Sequence, residues 1–174
     1  MKKTILVIED DRDLRTNIKT LLEEEDYSVI IAKDGEEGIK LAKEILPSLI
    51  ICDILMPNIS GYDVLEALLT DKKTFTIPFI FLTAKVDKAD LRKGMELGAD
   101  DYVFKPFQSE TLLKSIETRI KKNDIMKAEL LNNRKENKLD IENKKELGID
   151  GRIFFVINDV PQFIKVCEIK IISA

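Results

Sequence analysis

Through the first 120 or so residues, short apolar runs alternate five times with segments of helical periodicity, and few folds accommodate that pattern. The runs fall at residues 5–8, 28–32, 49–52, 79–82 and 101–104. Between and after them, apolar residues recur at helical spacing: first Leu14, Ile18, Leu21 and Leu22, then over 36–46, 62–69 and 88–97. A fifth helix is expected from near Ser109, whose hydroxyl would cap it, with Leu112, Leu113, Ile116 and Ile120 facing inward. Pro47 and Gly98 supply stop signals for the second and fourth helices. Strands this short and nearly all apolar have no face to show to water. They predict a parallel sheet with helices on both faces and right-handed crossovers, a doubly wound α/β domain. In such folds the ligand site lies at the carboxyl ends of the strands, beside the point where the strand order reverses.

Composition narrows the chemistry. The chain has 174 residues, enough for one domain with an appendage, and no histidine. An imidazole therefore cannot act as base, proton shuttle or metal ligand, which excludes Ser-His-Asp, Cys-His and zinc-histidine sites. Cys52 and Cys167 form neither a CxxC pair nor a disulfide framework, as expected of a reducing compartment. The first apolar run is too short for a signal-peptide core or a membrane span, so a cytoplasmic protein without a membrane partner is expected. A net charge of −4 offers no reason to expect a nucleic-acid partner.

The polar residues at the strand ends carry the chemistry. The first strand runs into Glu9-Asp10-Asp11, the third into Asp53, the fourth into Thr83 and the fifth into Lys105-Pro106. At least three carboxylates would meet in one crevice. Crowded carboxylates raise one another's pKa unless a cation lets them stay ionised. With oxygen ligands alone a hard ion such as Mg²⁺ fits, and Asp10 and Asp53 could bind it directly. Mg²⁺ favours phosphate oxygens as remaining ligands, which points to phosphoryl chemistry with Asp53 as nucleophile. Thr83 and Lys105 would then donate to the phosphoryl oxygens.

The segments ILVIEDD, DILMPNISGYD around Asp53, IPFIFLTA around Thr83 and GADDYVFKPF around Lys105 stand in order at these strand ends. Together they resemble the receiver domains of two-component response regulators, over Lys3 to about Ile120. The Glu9-Asp10 pair and the GADDY segment are most similar to receivers that normally carry a DNA-binding winged helix. The resemblance implies the flavodoxin-like strand order 2-1-3-4-5. It makes Asp53 the phosphoacceptor, places Glu9, Asp10, Asp53 and the backbone carbonyl of Leu55 around Mg²⁺, and makes Lys105 the phosphate-binding lysine. Thr83 and Tyr102 would be the switch residues, and the Lys105-Pro106 bond is expected cis. Leu55 and Lys85 would flank the hydrolytic water and tune dephosphorylation. The implied partners are a sensor histidine kinase or phosphotransfer protein, and a downstream protein or second copy on the face of the fourth helix, fifth strand and fifth helix. Beyond self-phosphorylation and slow self-dephosphorylation, no enzyme activity is expected.

Plainer roles compete at single residues. Asp11 or Asp13 would cap the first helix, Asp53 could serve a turn, and Thr83, Tyr102 or Lys105 alone would read as backbone, core and solvated residues. A flavodoxin-type binder would need a phosphate-cradling loop where Glu9-Asp10-Asp11 stands. An aspartyl phosphatase would want an acid at Leu55. A receiver-like interaction module that is never phosphorylated, or a fragment of a larger transcriptional regulator, remains as the alternative.

Residues 1–120 hold 17 basic and 23 acidic residues, whereas 121–147 hold 8 basic and 6 acidic. The organisation expected is a receiver over 1–121, a charged helical linker over 122–148 and a short extension over 149–174. Arg134 and Asn137 interrupt any heptad pattern, so a long coiled coil is not expected in the linker. The extension's apolar runs IFFVIND and IKVCEIKIIS suggest two strands or the start of an output domain.

Overall fold

In the computed structural model of the chain, residues 2–84, 92, 96–146, 152–157 and 160–165 are described, from residue 130 onward by their backbone alone. Residues 1–126 and 127–174 form two compact units.

The first unit contains β1 (Thr4–Ile8), α1 (Arg12–Glu24), β2 (Ser28–Ala32), α2 (Gly35–Ile45), β3 (Leu49–Asp53), α3 (Gly61–Leu69), β4 (Phe79–Ala84), β5 (Asp101–Lys105) and the start of α4 (Ser109–Glu146). The five strands form one parallel sheet in the order β2-β1-β3-β4-β5. This is the flavodoxin-like order the resemblance implied. Alternation along the strands divides the core. Leu6, Ile8, Ile50, Cys52, Phe79 and Phe81 pack with Val64, Leu65 and Leu68 of α3 and Ala42 of α2. Ile5, Val7, Leu49, Ile51, Ile80 and Leu82 pack with Ile18 and Leu22 of α1 and with Leu112, Ile116 and Ile120 of α4. Helices therefore cover both faces.

Local chemistry starts and stops the helices. Asp11 and Asp34 accept from the backbone N–H groups of Leu14 and Glu37 at the starts of α1 and α2, and Ser60 with Asp63 forms a capping box on α3. Asp11 thus fills the capping role expected at the first helix. Leu46 ends α2 in the left-handed region, immediately before Pro47. The expected Ser109 cap falls one residue late: α4 opens on the carbonyl of Gln108, which accepts from Thr111 and Leu112. Of the helix expected over 88–97, only Arg92, Glu96 and Leu97 are among the described residues, and all three are helical. The rest of it, and Lys85, lie outside them.

Helix α4 continues through 38 residues, so the boundary expected at 121 falls inside a helix. In the second unit β6 (Arg152–Ile157) pairs antiparallel with β7 (Val160–Lys165). No helix among the described residues is long and apolar enough to cross a membrane.

Candidate phosphoryl-transfer site at the sheet's carboxyl edge

The strand order reverses between β1 and β3, and the acids stand at that reversal. Glu9 and Asp10 follow β1, and Asp53 ends β3. One carboxylate oxygen from each lies within 4.8 Å of the others. Glu9 is 1% exposed and Asp53 6%, whereas Asp10 is open to solvent.

Lys105, at the end of β5, places Nζ 2.7 Å from Glu9 Oε2 and 2.9 Å from Asp53 Oδ2. Strand register brings it there from 96 residues away in sequence. Burial alone would lower the lysine's pKa, but the hydrogen bonds to Glu9 and Asp53 outweigh it and the pKa lies above the ordinary lysine value. Glu9 is shifted upward as well, which in its case favours the neutral form. Its burial, with the nearby Asp53 charge, outweighs the pull of Lys105 and pushes its carboxyl up to about 7. Lys105 offsets part of the negative charge that Glu9, Asp10 and Asp53 carry when ionised, and the oxygen-only cluster stays acidic enough to attract a divalent cation.

The expected switch residues sit on the adjoining strands. Thr83 is fully buried on β4, and its hydroxyl donates to the Ala84 carbonyl at 3.3 Å. Tyr102 on β5 is half-buried, its ring 5.2 Å from that of Phe81, which in turn meets Tyr62 at 5.1 Å. Burial pushes the Tyr102 phenol up to about 12. The Lys105-Pro106 bond is cis. Leu55 donates its backbone N–H to Asp53 Oδ1 at 3.3 Å, and the residue is 63% exposed.

Several contributors escape a reading by periodicity. Gly61 lies so close to β3 that a Cβ there would meet the Asp53 carbonyl, and its N–H donates to the Ile54 carbonyl at 3.0 Å. Arg15 looks like any polar helix position in sequence, yet its Nη1 reaches the carbonyls of Glu9 and Asp10 at 2.6 and 3.1 Å. The two aspartates of the GADDY segment brace the edge of the sheet. Asp100 accepts from the Phe79 N–H at 2.9 Å, and Asp101 accepts from Ser115 Oγ at 2.6 Å and pairs with Arg119 at 3.1 Å.

Comparison with known proteins follows the same geography. The family model of the response regulator receiver domain matches residues 5–117. The DNA-binding response regulator MtrA of Mycolicibacterium paratuberculosis is 34% identical over 131 residues, 75% of this chain and 57% of that protein. The probable transcriptional regulator ycf27 of Porphyridium aerugineum is 42% identical over 120 residues, 69% of this chain and 47% of that protein. The chain thus spans about half the length of these relatives. The receiver domain of a sensor histidine kinase from Pseudomonas aeruginosa, solved with a magnesium ion coordinated in its active site cleft, superposes with a TM-score of 0.64 at 26% identity, covering 69% of this chain and 98% of that one. With its sheet order, its strand-end acids and a family match across nearly the whole first unit, this chain belongs to the response regulator receiver domains of two-component systems.

Proposed function

We propose that the chain takes a phosphoryl group onto Asp53 from a histidine kinase or phosphotransfer protein and uses it to switch a protein-binding surface. The observation that carries this reading is the junction of Glu9, Asp10 and Asp53 with Lys105 at the sheet's reversal point. An oxygen-only donor set richer in carboxylates than in cations suits Mg²⁺, held by Glu9, Asp10, Asp53 and the Leu55 carbonyl. Bound there, the ion would supply charge neutralisation for the incoming phosphoryl group. The related Pseudomonas receiver, with magnesium in its cleft, supports that assignment.

In the transfer, an Asp53 carboxylate oxygen attacks phosphorus, the P–N bond to the donor's imidazole breaks, and that nitrogen recovers a proton. Lys105, already against Asp53, offsets charge on the phosphoryl oxygens. Thr83 then turns its hydroxyl from the Ala84 carbonyl to the phosphoryl group, and Tyr102 moves inward beside Phe81. These movements reshape the face of the 88–97 segment, β5 and α4, where a downstream protein or second copy binds. Turnover beyond phosphorylation and slow self-dephosphorylation is not part of this function, and its setting is the cytoplasm. Asp53→Ala should abolish labelling by acetyl phosphate with Mg²⁺; labelling that persists on this variant would place the phosphosite elsewhere.

The matched relatives favour a second reading, in which this receiver belongs to a longer transcriptional regulator. The expectation of no nucleic-acid partner would then apply to the receiver alone. Gel-shift titration of the full chain against mixed duplex DNA tests it, and tight binding by residues 1–174 would end that expectation.

A further inference from the structure

Successive residues of an extended strand point their side chains, and their carbonyls, to opposite sides. Glu9 and Asp10 do neither. Both carbonyls converge on the same nitrogen, Arg15 Nη1, and both carboxylates converge on Asp53. The chain makes this turn just past β1, where the Glu9 N–H still bonds to the Ala32 carbonyl at 3.2 Å and Asp10 occupies a bend. Two adjacent residues can serve one site only because the backbone leaves the extended conformation between them.

Arg15 stands in the first turn of α1, where a positive side chain opposes the helix dipole. Arg15 is half-buried, and its Nη1 serves the main-chain oxygens of Glu9 and Asp10. That use of a planar, always-charged group fits a clamp better than a surface charge. We propose that Arg15 is a positioning residue for the divalent-cation site, fixing the bend that turns the Asp10 carboxylate toward Glu9 and Asp53. The proposal rests on the reading of these acids as a Mg²⁺ site. It adds a residue that touches neither the ion nor the phosphoryl group.

Charge and positioning make opposite forecasts, and this separates them. Removing a cation from the neighbourhood of an acidic cluster would, by charge alone, tighten Mg²⁺ binding. Loss of a clamp would weaken it. Calorimetric titration of the full chain with Mg²⁺ alone should show Arg15→Ala binding about tenfold more weakly than the wild type. Arg15→Lys, which keeps the charge but not the planar fork, should bind about threefold more weakly and carries the test if the alanine variant does not fold. Unchanged or tighter binding by the folded variants overturns the clamp. Wild-type protein that takes up no Mg²⁺ overturns instead the reading of the site on which the clamp depends.

Discussion

At the residue scale, the site is a problem of unequal charge. Lys105 bridges Glu9 and Asp53, yet burial, with the Asp53 charge beside it, still holds the Glu9 carboxyl above the ordinary glutamate value. For Leu55 the proposed role is a different one, control of dephosphorylation. Its exposed side chain stands two residues past the proposed phosphoacceptor, where it would crowd an approaching water. Leu55→Asn or Leu55→Glu should shorten the half-life of the acyl phosphate severalfold, and phosphate-release timing that matches the wild type would remove this role. Lys85, the other residue expected to tune that water, lies outside the described residues. Asp101 governs stability instead. Burial raises its pKa, but hydrogen bonds from Ser115, the Tyr102 N–H and Arg119 prevail and hold it below the ordinary aspartate value. A depressed carboxyl stabilises the fold above its unfolded pKa, and that contribution is lost as pH falls through the folded value. Urea titrations from pH 7 down to pH 2 should show Asp101→Asn less stable by about 1 kcal/mol at neutral pH, the gap closing in acid. A gap that does not close would mean that ionisation of Asp101 is irrelevant.

At the element scale, α3 ties the site to the aromatic core. Its first residue, Gly61, touches the Asp53 backbone, and its second, Tyr62, meets Phe81, which meets Tyr102. A methyl group at position 61 would have to displace main chain rather than a flexible side chain. Gly61→Ala should therefore cost about 1–3 kcal/mol in denaturant unfolding and slow the labelling of Asp53; wild-type stability would show that the close approach relaxes freely. The strands, and the helices among the described residues, were legible, because buried parallel strands are uniformly apolar and helices carry a 3.6-residue period. The start of α4 near Ser109 was legible too, but its cap was not, since the carbonyl of Gln108 opens the helix without a signature side chain. Arg15 and Gly61 were equally illegible, because their roles lie in contacts with main-chain atoms of another segment.

At the scale of the whole molecule, the residues that match the receiver family all lie in the first unit. The five-stranded sheet, the core clusters on its two faces and the acidic site all lie in residues 1–126. Lys3 also pairs with Asp124 at 2.7 Å, tying the amino end of the sheet to α4 inside this unit. A chain cut after Met126 should unfold with a midpoint within about 2 °C of the full chain and label equally on Asp53. A larger drop in differential scanning calorimetry would show that the sheet draws stability from residues 127–174. Helix α4, Ser109–Glu146, crosses from the first unit into the second. Beyond it, β6 and β7 pair Ile153 with Ile164 and Phe154 with Phe163, and two strands alone are marginal in water.

The amino-acid sequence by itself determined the layered α/β class, the strand ends at which polar residues collect, and the absence of any imidazole chemistry. Each of these follows from local periodicity or from composition, which need no knowledge of distant contacts. Only the tertiary structure decided that Lys105 bridges Glu9 and Asp53, that Gly61 abuts the Asp53 backbone, and that Arg15 gathers two successive carbonyls. The reason is physical. These contacts join residues on different elements, and their distances are set by strand register and helix docking.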